Sequence, residues 1–504
     1  MKKTFSILFI SVALNSINAQ DINDALRYSQ TDLNGTARYR AMGGAFGAVG
    51  GDFSSLNSNP AGSLIFANNQ AGLTLTNFST NNDSNYFGKK TTDNNNSFAL
   101  NQAGAAFIFN NADNRSDWKK FAFTLNYENA KNLDNSIISA GTNPTNSVDK
   151  YFLNYANGVA LGTLNNYYFD ELYYNEQQAY LGYNSYIIDP TSSANSNTSY
   201  YSNVALGGNY YQENRTHSTG YNGKVAFNFA GQYTDKWLFG LNLNSHFIDY
   251  RQTNGFYESN TNPKYTTGST VDVIRFSNDL YTYGSGFSFQ LGTIYKLTKK
   301  ARLGLSYESP TWYRLTDELS QRVTTSGYGL SATPNVNSYS TQIVDPNTTM
   351  IFQPYTLQSP GKWTGSFAYI FSKKGLISID LASKNYSFTS YGPKVDFSST
   401  NTTMRNALKS ATELRVGGEY KIKRISLRGG YRWEQSPYKN GTTIGDLTCY
   451  SGGLGYNFGN TKLDLAYSNT KREYDQQFFS QGLTDAARIK SVINTISLTL
   501  LFEL

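Results

Sequence analysis

The sequence predicts an all-β protein: a 14-stranded antiparallel transmembrane β-barrel with an N-terminal luminal plug and short helices in one extracellular loop. Three observations predict it. From residue 70 onward, apolar and polar side chains alternate over segments of about ten residues, the length a tilted strand needs to cross a bilayer. The links between these segments alternate short and long, as the periplasmic turns and outer loops of an outer-membrane barrel do. The composition also suits many strands joined by polar loops, since 15% of the 504 residues are aromatic, 16% are charged and 43 are Gly.

Residues 1–19 carry the pattern of a secretory signal. Lys2 and Lys3 give the positive end, Phe5 to Leu14 the apolar core, and Ala19 a small residue before the cut. The exported chain then begins near Gln20. Cys449 stands alone, which excludes an intrachain disulfide and a thiolate metal cluster. The 43 basic residues exceed the 36 acidic ones without forming a cluster, so nucleic acid is excluded as a partner. Beyond the N-terminus no apolar run is long enough for a spanning helix.

Residues 20–68 fit no strand pattern and are expected to form the plug. They include Gly43, Gly44, Phe46 and Asp52, followed by Asn59-Pro60-Ala61-Gly62. Small residues at this density let backbone approach backbone inside a narrow lumen. A phosphate-binding loop is excluded, because no Lys-Ser/Thr follows the glycines.

The barrel, residues 69–504, is expected to place strands near 71–80, 98–110, 119–129, 223–234, 237–253, 283–297, 301–315, 361–372, 375–387, 412–422, 425–436, 448–458, 461–473 and 491–503. Tight turns fall at 234–236, 298–300, 372–375, 421–424 and 458–460. An even count places both ends of the barrel in the periplasm. Phe227 and Phe229 oppose Lys224 and Asn228 on the fourth strand, as Leu427 and Trp433 oppose Arg428 and Arg432 on the eleventh. A lipid face and a lumen face follow from that split. The five Trp residues fall near strand ends, at the heights of the two membrane interfaces. The final strand presents Val492, Ile496, Leu498, Leu500, Phe502 and Leu504 on one face, as expected for a closing strand read by barrel-assembly machinery.

Residues 131–221 are expected to form a long, partly helical outer loop. Leu161, Leu164, Tyr168 and Leu172 recur at helical spacing, and Phe152 and Tyr155 add aromatic surface. With Phe46 of the plug, they are the candidate ligand-binding residues. Two roles stay open for the loop: lining a greasy entry site, or capping the barrel by packing on itself. The inward charges, among them Arg415, Arg428 and Arg432, also carry two readings. Mutual pairing that anchors the plug is preferred over a contact to a substrate carboxylate. His217 and His246 are the only histidines and stand far apart in sequence, so no catalytic residue, metal or cofactor is expected.

The Gly-rich stretch with Asp52, the Asn59-Pro60-Ala61-Gly62 element before the first strand, and the signal–plug–fourteen-strand layout resemble the FadL/TodX-type outer-membrane transporters of hydrophobic compounds. That resemblance implies a hatch inside the barrel, made of Gly43, Gly44, Asp52, Asn59, Pro60, Ala61 and Gly62. It also implies substrate entry from the outer loops and sideways exit through the wall near a distorted strand. The long 131–221 link departs from the pattern, and the motif does not name the cargo. Some similar proteins are labelled haem receptors or serve secretion systems. The expected function is passive uptake of hydrophobic small molecules, long-chain fatty acids or aromatic hydrocarbons, across the outer membrane of a Gram-negative bacterium. Docking to a secretion system or surface protein, haem reception and an open polar pore are the alternatives. The expected partners are a hydrophobic small-molecule ligand, outer-membrane lipid and the insertion machinery.

Overall fold

Alternating side chains along each strand resolve into one closed antiparallel sheet of 14 strands in a computed structural model that describes residues 20–113, 115–371 and 374–504. The signal expected at 1–19 lies outside the described residues. The strands are β1 (Gln70–Tyr86), β2 (Lys89–Asn110), β3 (Trp118–Asn132, continued by Asn135–Asn143), β4 (Tyr210–Tyr233), β5 (Trp237–Ser259) and β6 (Thr270–Lys296). They continue as β7 (Ala301–Glu308 and Trp312–Tyr328), β8 (Tyr355–Gln358 and Lys362–Phe371), β9 (Gly375–Asn385), β10 (Ser410–Ile422) and β11 (Ile425–Glu434). The last three are β12 (Ile444–Asn457), β13 (Thr461–Gln477) and β14 (Ala486–Glu503). Each strand pairs with its neighbour in sequence, and β14 returns to β1 from Gln70↔Glu503 to Asn85↔Arg488. Closure leaves the ring without a free edge at its ends.

The two faces follow the alternation. Phe227, Phe229, Leu454, Leu465 and Leu498 are exposed on the outside, while Asn228, Asn242 and Asn244 are buried inside. Trp118 and Trp237 open β3 and β5, and Trp433 lies near the end of β11. The first residue of β1 and the end of β14 meet at one rim, where Leu504 N–H donates to Asn69 O at 2.9 Å.

Several strands outrun their expected bounds. β1 and β2 continue through the polar stretch 81–97 and turn at Phe87-Gly88, where φ is +46° and +82°. A two-residue hairpin loop of this kind needs positive φ at both positions. Above the bilayer the outer face meets water, so alternation there is polar against polar and carries no apolar signal. The expected loop 131–221 is likewise shorter: β3 and β4 enter it from both sides, and the helical link spans 144–209. β7 and β8 are interrupted side by side at 309–311 and 359–361, each by a proline, Pro310 or Pro360, which has no N–H for the ladder.

The link contains α3 (Asp149–Ala156), α4 (Leu161–Asn166) and α5 (Tyr174–Asn184). Leu161, Leu164, Tyr168 and Leu172 do not share one helix. α4 carries the first two, whereas Tyr168 and Leu172 flank a 3-10 turn at Phe169–Glu171. Glu171 Oε2 accepts the Tyr168 N–H at 2.9 Å, which caps a new turn there and ends the helical repeat. The N-terminal segment lies inside the barrel as α1 (Ile22–Ser29), α2 (Ala37–Ala41) and two 3-10 turns, Phe53–Asn57 and Pro60–Ile65.

Leu465→Arg places a charge on the lipid face of β13 and is expected to destabilise the barrel by about 2–4 kcal/mol. Urea unfolding in lipid vesicles checks this. Unchanged stability would contradict the assignment of that face to lipid.

Candidate functional site

The floor of the lumen is built from residues whose backbone sits against the wall. Asn59 caps the turn at Pro60–Ile65, with Oδ1 accepting the Ala61 N–H at 3.1 Å. Its Nδ2 donates to Gly47 O and to Thr293 O of β6, both at 2.9 Å. Pro60 fits at the first helical position because that residue's N–H would be unsatisfied in any case. The wall answers in kind: Asn228 Nδ2 donates to Pro60 O at 2.9 Å, and Asn242 Nδ2 donates to Leu56 O at 2.9 Å. A side chain at Gly240 of β5 would collide with the Pro60 carbonyl, so the wall needs glycine there. Asp52 caps the turn Phe53–Asn57, accepting from Ser54 N at 2.9 Å and Thr36 Oγ1 at 2.7 Å. Gly43 and Gly44 have φ of +62° and +75°; Gly43 lies against β11, where Gly430 presents no side chain to it, and Gly44 lies against Leu33 and Tyr39 of the plug.

Charges on the inner wall extend this anchoring. Glu413 is held by Arg415 at 2.7 Å and Arg432 at 2.5 Å. Arg432 also meets Glu434 at 2.8 Å and donates to Thr31 O of the plug at 3.1 Å. Arg428 bridges Glu419 at 2.7 Å and Asp464 at 2.6 Å, and Arg38 of the plug reaches Glu419 at 2.9 Å. Arg415 Nη1 donates to Tyr39 OH at 3.0 Å. Asp380 accepts the N–H groups of Phe46 and Gly47, both at 3.0 Å. Arg415, Arg428 and Arg432 are therefore spent on pairing.

The wall itself has a seam. Register between β2 and β3 ends at Gln102↔Glu128, although β2 runs on to Lys89 paired with β1. β3 slips register between Asn129 and Lys131, stays with β4, and crosses the inner side of β1. There Asn82 Nδ2 donates to Asn135 Oδ1 and Ser136 O at 2.7 Å, and Gly141 lies against the Tyr86 carbonyl. Scattered hydrogen bonds span the seam in place of a ladder: Asn132 Nδ2 donates to Ser97 Oγ at 2.9 Å, Ser136 Oγ to Asp93 Oδ2 at 2.6 Å, and Thr91 Oγ1 to Ile138 O.

Above the floor is a cavity of about 580 Å³. α1 forms its base through Asp21, Asp24, Leu26, Arg27 and Gln30. Its walls mix polar side chains, among them Asn132, Asn214, Thr216, Gln252, Asn254 and Asn278, with apolar ones such as Leu133, Ile137, Leu280 and Ile493. Its roof is aromatic: Tyr151 from α3, Tyr174 from α5, Phe276, Phe352, Phe478 and Phe479. Tyr151 and Phe479 pack with centroids 4.8 Å apart, and Phe276 and Phe479 stack at 6.2 Å. A second chamber of about 40 Å³ lies behind the strand breaks, lined by Lys224, His246, Glu308, Lys362 and Lys384.

The expected ligand residues are elsewhere. Phe152, Tyr155, Leu161 and Leu164 are buried in the core of the roof, against Phe276, Phe479 and their own neighbours, so their apolar area is consumed by capping. Leu172 is buried outside the cavity lining, Phe46 packs within the plug against Tyr39, and Tyr168 is 79% exposed to the exterior. Helical spacing identified the roof but not which ring of each adjacent pair faces inward. Tyr151 and Tyr174 do so instead. The cavity carboxylates Asp21, Asp24 and Asp32 were also missed, although the Asp21–Asp24 capping box with Arg27 one turn on is a readable signal. His246 faces inward and bonds Ser288 at 2.9 Å, whereas His217 is exposed on the outer face of β4, so the two share no site.

A closed barrel whose lumen is filled by its own N-terminus, under an aromatic roof, defines an outer-membrane channel that is not an open pore. The chain belongs to the family described as outer membrane protein transport protein (OMPP1/FadL/TodX), whose model matches residues 181–491. Family and fold are those of channels for hydrophobic compounds, not of enzymes. Two solved structures share the fold. A FadL homologue of Pseudomonas aeruginosa is 13% identical, with 94% of this chain and 99% of that chain covered and a TM-score of 0.50. The toluene transporter TodX of P. putida is 15% identical over 94% and 99%, also with a TM-score of 0.50. No curated protein matches the chain.

Asn59→Ala removes the donor to Gly47 O and Thr293 O, a loss of about 1–3 kcal/mol in buried hydrogen bonding. Ion conductance in a planar bilayer is expected to rise; a conductance equal to that of the unaltered protein would contradict a holding role for Asn59. Glu413→Gln leaves two buried guanidinium groups under-paired and is expected to cost about 3–5 kcal/mol. Thermal unfolding in detergent reads that loss directly.

Proposed function

We propose that this channel admits amphipathic hydrophobic molecules larger than a single aromatic ring, passively, from the outer surface to the cavity above the plug. The observation that carries this reading is the cavity. At about 580 Å³ it is several times the ~150 Å³ that suffices to hold benzene in a protein interior. It joins an aromatic roof to a polar base, which suits a ligand with an apolar body and a hydrogen-bonding head. Burial of the body supplies about 0.8 kcal/mol per methylene. Gly43, Gly44, Asp52, Asn59, Pro60, Ala61 and Gly62 act as the hatch that blocks the direct path downward.

Exit is sideways, through the seam between β2 and β3. The seam begins above Gln102 and Glu128, next to exposed Phe98 and Leu100 on the outer face of β2. A ligand leaving there enters lipid without crossing the ion pairs of the floor.

Paired replacements Ser97→Cys and Asn132→Cys, at side chains already in contact across the seam, are expected to form a disulfide that closes it. Uptake of a fluorescent long-chain amphiphile into proteoliposomes should fall severalfold when the pair is oxidised and recover on reduction. Equal uptake in both states would contradict the lateral route. Cys449 is buried and leaves the comparison clean.

A further inference from the structure

The charge lining the cavity identifies the head group it takes. Six carboxylates face the cavity, Asp21, Asp24, Asp32, Asp134, Asp317 and Asp475, against three cations, Arg27, Lys131 and Arg472. Several of these are already satisfied. Asp24 pairs with Arg27 at 2.5 Å, Asp475 with Arg488 at 2.9 Å, and Arg472 with Glu434 at 3.2 Å. Asp21, Asp134 and Asp317 accept only from neutral donors: the Asp24 N–H and Asn23, the Gly220 N–H, and Gln20, Thr282 and Tyr355, respectively. With Asp32, four carboxylates face the cavity outside any ion pair. Among the described residues, Lys131 is the lining cation in the same position, and its Nζ donates to Arg27 O at 3.0 Å.

A second observation is independent of charge. Asn214 is 1% exposed, and Gln476 stands beside it; both amides donate to Thr216 Oγ1 at 3.2 Å. Their carbonyl oxygens, Asn214 Oδ1 and Gln476 Oε1, are buried in the cavity lining without a hydrogen-bond partner. Two donors, Gln30 Nε2 and Arg472 Nε, are in the same condition. Taken with the four carboxylates, acceptors dominate. The roof supplies the third element, since Tyr151, Tyr174 and Phe479 present aromatic surface to the same space on which an apolar body can pack. The lysines Lys224, Lys362 and Lys384 line the separate smaller chamber and do not offset this charge.

We propose, resting on the channel reading above, that the cavity selects lipophilic organic cations, protonated amines or quaternary ammonium groups on an apolar body, over carboxylates of the same size. The apolar body lies under the aromatic roof, and the ammonium meets the carboxylates and free amide oxygens below. No covalent step is involved.

Calorimetric titration of the full barrel in nonionic detergent, with matched protein-free micelle blanks, tests this using an alkyltrimethylammonium, the fatty acid and the alcohol of equal chain length. The ammonium is expected to bind at least about tenfold tighter than the fatty acid, with the alcohol between them. The double variant Asp32→Asn, Asp134→Asn should narrow the gap between the ammonium and the fatty acid. A fatty acid that binds as tightly as the ammonium overturns the cation preference while leaving the channel reading standing. Binding of none of the three overturns both.

Discussion

Closing a sheet of fourteen strands around its own N-terminal plug removes many inward side chains from bulk water, and the rest of this structure depends on how those groups find partners. Asn228, Asn242 and Asn244 are buried on the inner wall, as are Glu413, Glu419, Arg415 and Arg432. The plug supplies many of the missing contacts. Its carbonyls at Leu56 and Pro60 accept from the wall asparagines, Thr31 accepts from Arg432, and Arg38 shares Glu419 with Arg428. Buried ion pairs are weak evidence of net stability, since desolvation offsets much of the attraction. They are strong evidence of register, because displacing the plug would leave several charges unpaired at once.

That constraint determines where a ligand has room to move. The floor around Asn59, Asp380 and Glu413 is densely bonded, whereas pairing lapses in the wall above Gln102 and Glu128. The cavity sits between that seam and a roof held mainly by apolar and aromatic packing. Packing of this kind is non-directional and exchanges partners at less cost than buried hydrogen bonds. Capture above, a fixed floor and a lateral seam are thus consequences of one distribution of polar contacts.

The strand count was legible because the bilayer imposes alternation on every spanning segment, as Phe227-Asn228-Phe229 illustrates. The full length of β1 and β2 was not, because Asn81 to Ser97 face water outside and polar neighbours inside, and no apolar period survives. Pro310 and Pro360 were visible signs of interrupted ladders, yet their facing placement emerges only when β7 and β8 are paired. The seam is a property of register between β2 and β3, which no single strand encodes. At the site, the motif Asn59 to Gly62 and the paired arginines were readable from residue type and spacing. Which ring of Tyr151-Phe152 faces the cavity was not, since the tilt of α3 is set by its packing on Phe276 and Phe479. The acidic lining escaped notice because Asp21, Asp134, Asp317 and Asp475 come from four distant stretches of chain.

The most direct measurement of the central claim, that the cavity above the plug holds an amphipathic hydrophobic ligand, is mass spectrometry of organic extracts from the purified barrel. An unrelated barrel purified in the same detergent is the comparison. Enrichment of a discrete amphipathic species on this protein alone is the result the structure predicts. An extract indistinguishable from that of the unrelated barrel, with a protein partner retained in the same preparation, would contradict it.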